Sequence, residues 1–289
     1  IRLLTKGLEL LMILAETPER NQLELALQCP LGATLTVTKG YAAPEVQRAH
    51  ERAFALCQQI GASRALFPAL AGLWGFHFLR AELQTARKLA VQLFGLAQSL
   101  ADPTLLLWAH TAQGMILSTL GESPAALDHL EEGIPLYDPQ LHRPDLTRVG
   151  AQDPKVICLS YIAWTLWRLG YPAQARKKAE EAIAFAHELA HPFSLAFALD
   201  FGGAGVHMFL RDAPAVHAYA ESLVALAITL AALYLFFNAS FVSSYEALHI
   251  DFSINWTASH ALRDGEIPYG KTRLAERAAA LGGPTNLIY

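Results

Sequence analysis

The stretch "CLSYIAWTLWRLGYPAQARKKAEEAIAFAHELAHP", Cys158 to Pro192, decides the fold. It reads as helix, turn, helix. Gly170 marks the turn and Pro172 follows two residues on. Glycine is favoured just past a helix end, and proline is tolerated in a first helical turn, where its missing N–H has no partner to lose. After the turn, Ala175, Ala179 and Ile183 recur every four residues. That spacing stacks them on one helix face, and small residues there let another helix approach closely.

The same register extends in both directions. Turns at Gly40, Ala81, Gly121, Gly170 and Arg211 are spaced 41, 40, 49 and 41 residues apart. Five residues on stand Glu45, Ala86, Ala126, Ala175 and Val216; nine on, Ala49, Ala90, Leu130, Ala179 and Ala220; thirteen on, Ala53, Phe94, Ile134, Ile183 and Val224. Seven before the turn stand Ala33, Trp74, Gly114, Ala163 and Ala204. Pro68, Pro103, Pro154 and Pro192 are placed to open the first helix of a pair, and Pro44, Pro124, Pro172 and Pro214 the second. Asp102 and Asp153 precede two of these prolines as N-caps. No run alternates with period two for long enough to make a sheet. The expectation is an all-α, right-handed α-solenoid of about five helix pairs over residues 18–227, each pair burying its apolar face against its neighbours. Residues 1–17 read as a partial helix of a preceding repeat, and 228–289 as a degenerate helical cap or unrelated tail.

The 49-residue spacing is a unit of about 40 plus an insertion, "YDPQLHRPDLTRVGAQDP", at 137–154. Asp138 is placed to stop the preceding helix and Asp153 to cap the next. His142, Arg143, Asp145 and Arg148 make a polar patch between them, with Tyr137, Leu141 and Leu146 as apolar anchors. A loop set over the first helices has the character of a binding loop; its plainer reading is filler for a wide repeat junction.

Composition narrows the function classes. Hydrophobic residues make up 53% of 289 and charged residues 17%, with a net charge of −4 and mixed signs. No basic stripe argues for nucleic acid. Cys29, Cys57 and Cys158 have no metal-site spacing, and an odd, sparse set of cysteines reads as reduced and cytoplasmic. The charge-free run between Glu221 and Glu246 has the length of a membrane span, but Asn238, Ser240, Ser243 and Ser244 favour a buried terminal helix or an exposed sticky end instead. No phosphate-binding GxxxxGK[ST] loop occurs, and "FGGAG", Phe201–Gly205, lies in a helical register where small residues serve tight packing. No catalytic set, metal site or cofactor is expected.

Beyond these features the chain resembles tetratricopeptide repeats in a degenerate form. More narrowly, "TKGYAAPEVQRAHERAFALCQQIG" (38–61), "FLRAELQTARKLAVQL" (78–93), "YDPQLHR" (137–143) and the opening stretch are similar to the C-terminal repeat regions of large bacterial signalling proteins. Those proteins carry an adenylate/guanylate cyclase-like domain, an ATPase module and then the repeats. The resemblance covers about residues 7–227. The family's usual Tyr-Gly-Gln-Asp-Pro is here Val149-Gly150-Ala151-Gln152-Asp153-Pro154, and the tail after Ala227 does not match. It implies a sensory or adaptor segment of a multidomain protein, not its catalytic part.

On that basis the partner is a protein or peptide in the concave groove, or catalytic domains of the same parent chain. The candidate binding residues are His77, Arg80, Tyr137, His142, Arg143, Asp145, Arg148 and His207. His77 and His207 share one repeat position, four before the turn, where a helix-end hydrogen bond would also explain them. Trp74, Trp108, Trp164 and Trp167 suit packing better than an aromatic box. A ligand-sensing role is the alternative, and a zinc hydrolase at "HELAH" (His187–His191) the remote one. Pro192 disfavours helical geometry at His191 and so breaks the i, i+4 ligand face.

Overall fold

A computed structural model describes residues 1–61, 63–142 and 152–238, except the side chains of residues 63 and 232–238. Through them run the α-helices α1 (Arg2–Leu11), α2 (Pro18–Lys39), α3 (Pro44–Ile60), α4 (Ser63–Leu79), α5 (Leu83–Leu100), α6 (Pro103–Leu120), α7 (Ser123–Gly133), α8 (Pro154–Arg168), α9 (Pro172–Leu189), α10 (Pro192–Phe197), α11 (Val206–Phe209) and α12 (Ala213–Asn238), with a further helical turn at 139–142. A 3₁₀ turn, Ile134–Leu136, follows α7, and a π-helical stretch, Ala198–Gly205, joins α10 to α11. Five antiparallel pairs result: α2/α3, α4/α5, α6/α7, α8/α9, and the α10–π–α11 rod with α12. The described residues contain no strand.

The turns fall where the register puts them. Ala81, Gly121, Gly170 and Arg211 have φ of 58°, 84°, 87° and 57°, and Gly40 has 82°. At the first four, the N–H of the next residue reaches back to a carbonyl five residues earlier: Glu82 to His77, Glu122 to Leu117, Tyr171 to Leu166 and Asp212 to His207, at 2.9–3.0 Å. Those bonds satisfy carbonyls that a helix end leaves free. Asp102 and Asp153 cap α6 and α8, each accepting two backbone N–H bonds.

Three expectations need correction. Pro68 lies inside α4, which already begins at Ser63, instead of opening it. Asp138 does not stop the preceding helix: α7 ends at Gly133, ahead of Pro135, and Asp138 instead accepts from Gln140 N–H at 2.8 Å to start a new turn. "FGGAG" packs tightly but belongs to the π-helical stretch.

The small-residue face forms the core. Ala53, Ala86, Ala90, Ala126, Leu130, Ala175 and Ala179 are completely buried. Gly114 marks a close crossing, since a Cβ there would stand 2.3 Å from Leu130 Cγ. First helices of successive pairs touch at α2/α4, α6/α8 and α8 with the α10–π–α11 rod, whereas the principal second-helix contacts are all to first helices. The first-helix side is therefore the inner side of the stack.

The chain divides into two compact units, residues 1–226 and 227–289. Within the first, α1 packs on α2. Of the second, only the continuation of α12 to Asn238 is described, so the rest of the expected cap or tail lies outside the described residues. Ala213–Ala231 is apolar and long enough to cross a membrane by length and composition alone.

Candidate functional site

The histidines at the shared repeat position close their own turns. His77 Nδ1 lies 2.6 Å from Glu82 Oε2, and Arg80 Nε donates to the other carboxylate oxygen at 2.9 Å. Arg80 also stands over the Phe76 ring at 5.3 Å. His207 Nδ1 pairs with Asp212 Oδ2 at 3.1 Å, and its ring leans on Tyr219. In both, a side-chain bond between the same two repeat positions reinforces the 6→1 backbone bond. The bonds from Arg80 and His77 hold the Glu82 carboxyl below its ordinary range; that from His207 does the same for Asp212.

The insertion is held at its two described ends. Tyr137 Oη donates to Asp153 Oδ2 at 2.7 Å, so the residue that opens the insertion is tied to the cap that closes it. His142 is buried and stacks on Tyr137 with ring centroids 5.1 Å apart. Tyr137 meets Phe185 edge to face, and Lys155 Nζ sits 4.4 Å from the Phe185 centroid. Asp153 N–H donates to Ser194 Oγ at 2.8 Å, and Ser194 is bonded in turn to His191. One junction thus ties α8, α9 and α10 together. Burial raises the Asp153 carboxyl, against the bond from Tyr137 and the two cap N–H bonds, which lower it. Arg143, Asp145 and Arg148 lie outside the described residues.

The candidate residues therefore do not form one patch. His77, Arg80 and His207 sit at the C-terminal ends of first helices, on the edge of the stack that carries the turns within pairs. Tyr137 and His142 sit by the N-terminus of α8, on the edge that carries the junctions between pairs. A first helix of 17 residues, such as α4, separates those edges by about 25 Å. "HELAH" is split likewise: α9 ends at Leu189, Ala190 turns at φ 53°, and His191 is the N-cap of α10, accepting from Ser194 N–H.

Between the edges, the inner face of pairs four and five is aromatic. Trp164 stacks on Phe201 at 4.8 Å and Trp167 on Phe209 at 4.5 Å, while Phe209 meets Trp164 edge to face at 4.9 Å. Phe197 and Tyr161 continue the ladder from Phe201. Trp164 Nε1 donates to Phe201 O at 2.7 Å, within the π-helical stretch. Both tryptophans and the phenylalanines remain partly exposed. The tryptophans do pack, as expected, but they also build an apolar surface. The sequence signal was present in "WTLW" and "FALDFGGAGVHMF"; what it lacked was the π-helical offset that brings the two segments into stacking register.

A second grouping escaped the sequence altogether. His110 on α6 meets His129 and Glu132 on α7, with His110 Nδ1 3.2 Å from His129 Nδ1 and 3.6 Å from Glu132 Oε2. Only the i, i+3 pair "HLEE" was visible as a spacing; His110 comes from another helix.

No protein-family model matches the chain. An uncharacterized protein of Rhizobium meliloti (strain 1021) is 25% identical over 211 residues, 72% of this chain and 20% of that protein. The chain thus spans about a fifth of the length of that relative. Among solved structures, the Signal Transduction ATPase with Numerous Domains protein with a tetratricopeptide repeat sensor, from Pyrococcus horikoshii, matches with TM-score 0.52 at 13% identity, over 97% of this chain and 39% of that one. A Podosopora anserina protein described as a kinesin light chain with nearly identical TPR-like repeats matches with TM-score 0.50 at 14% identity, over 75% of this chain and 99% of that one. With the geometry above, these likenesses show the fold: the chain is a TPR-like helical repeat solenoid.

Proposed function

We propose that this chain is a non-catalytic scaffold that binds a protein or peptide on the inner, first-helix face, as the sensory or adaptor segment of a larger signalling protein. The observation that carries the reading is the partly exposed aromatic ladder of Trp164, Trp167, Phe201 and Phe209. Such rings give a large contact area at small entropic cost, as interface anchors do. Among the described candidates, His77, Arg80, Tyr137, His142 and His207 are engaged in turns and junctions. The sensor label of the Pyrococcus structure and the greater length of the Rhizobium relative support placement in a longer protein. Control of a linked nucleotidyl cyclase or ATPase rests on the sequence resemblance, as does a cytoplasmic location on the sparse cysteines.

The test is a photo-crosslinking amino acid placed at Trp167, and separately at Lys177, which is exposed on the second helix α9. The protein is made from its complete gene in its host. Crosslinks to one defined protein segment from position 167 and none from 177 are expected. Equal yields from both positions, or crosslinks from 177 alone, would refute the reading.

A further inference from the structure

We propose that His110, His129 and Glu132 form a binding site for a divalent transition metal, Zn²⁺ by preference, pinning the end of α7 to α6. One ligand atom from each lies within 4.8 Å of the other two. The two imidazole Nδ1 atoms face each other at 3.2 Å, and a carboxylate oxygen stands 3.6 Å from one of them. Ligands at about 2.0–2.1 Å around a tetrahedral Zn²⁺ are about 3.3 Å apart, so a small inward adjustment suffices. His129 and Glu132 share one helix face at i, i+3, and His110 approaches from the first helix of the same pair.

The surroundings suit a metal. Phe94 meets both histidine rings edge-on, at 4.9 and 5.3 Å, and shuts one side with apolar surface. Gly133 brings α7 close, since a Cβ there would come within 3.2 Å of His110 Cβ. Burial, first, and then the neighbouring His129 hold the His110 imidazole below its ordinary value, which keeps it neutral and able to ligate. Glu132 is exposed and leaves a fourth position open to water. Two imidazoles and one carboxylate select Zn²⁺, Co²⁺ or Ni²⁺ over Mg²⁺ and Ca²⁺, which prefer oxygen alone. The site lies immediately before the break at Gly133, so occupancy would fix the point from which the insertion departs. This goes beyond the scaffold reading and does not depend on it.

The experiment uses the whole chain, stripped with chelator, titrated with ZnCl₂ by calorimetry and with CoCl₂ by visible absorption. One equivalent should bind, with the intense visible bands of four-coordinate Co²⁺. His129→Gln and Glu132→Gln, both partly or fully exposed positions, should keep the helical circular dichroism and weaken binding at least tenfold. His217→Gln, which breaks the separate exposed pair with Glu221, should leave it unchanged. No stoichiometric binding, binding unaffected in the folded His129→Gln protein, or binding lost in His217→Gln would each overturn the proposal and leave the two imidazoles as a hydrogen-bonded pair.

Discussion

His50 sits on α3 between two glycines of first helices. A Cβ at Gly72 would stand 2.3 Å from its ring, and one at Gly32 2.8 Å. Burial in that niche pushes the imidazole down to about 4. The unfolded chain takes up this proton as the pH falls below about 6.5, the folded chain only near 4. Stability is therefore full above pH 6.5 and drains away as the pH falls, by up to about 3 kcal/mol. His110 and His191, also held low by burial, act with the same sign. His50→Gln should reduce the loss of stability between pH 6.5 and 5 in urea unfolding; an unchanged slope would contradict the assignment. At Gly114 the constraint is purely steric. Gly114→Ala should cost about 1–3 kcal/mol, because fully buried Leu130 has little room to yield, and thermal unfolding measures it. The need for a small residue at Gly114 was legible from the repeat offset. The niche around His50 was not, because Gly32 and Gly72 reach it from separate helices.

Elements end where local chemistry stops them, and here the sequence was most informative. Ala81 and Arg211 adopt a left-handed conformation at turns where other repeats use glycine. Ala81→Gly should stabilise by up to about 1 kcal/mol and Gly121→Ala should destabilise by about the same, readable as opposite shifts of the denaturant midpoint. Equal effects of one sign would mean that these turns are not equivalent. The turns were legible because few residue types tolerate them, and the caps because aspartate before proline has a distinct local role. The early end of α7 has a local mark in Pro135, which the repeat register passed over, whereas the π-helical stretch was not legible, since it involves a tertiary partner, the indole N–H that meets Phe201 O. The insertion offers its own check. Tyr137→Phe deletes the bond to Asp153 and should cost about 1 kcal/mol, while speeding proteolytic cleavage within 139–151. Unchanged cleavage and stability would show that this bond does not hold the insertion.

At the scale of the molecule, the stack makes each pair depend on its neighbours, so its useful surface is a face and not a pocket. The candidate residues read from sequence were chosen for polarity. The structure places the described ones at the two edges, engaged in turns and junctions, and leaves the aromatic inner face between. The exposure of that face was hidden in the sequence, because the repeat pattern sets tryptophans on a helix without saying how much of each ring is covered. The purified chain should show no ATP or GTP turnover above buffer, since phosphoryl transfer needs a phosphate cradle, metal and oriented nucleophile together. Turnover that vanished with a point substitution on this chain would reverse that statement. The most direct measurement is amide hydrogen exchange of this chain, free and within the assembly it forms in its host. Added protection is predicted in peptides 160–168 and 197–209 of the inner face, with 173–189 on the second helix unchanged. Protection confined to 173–189, with the inner face unaltered, would contradict the account.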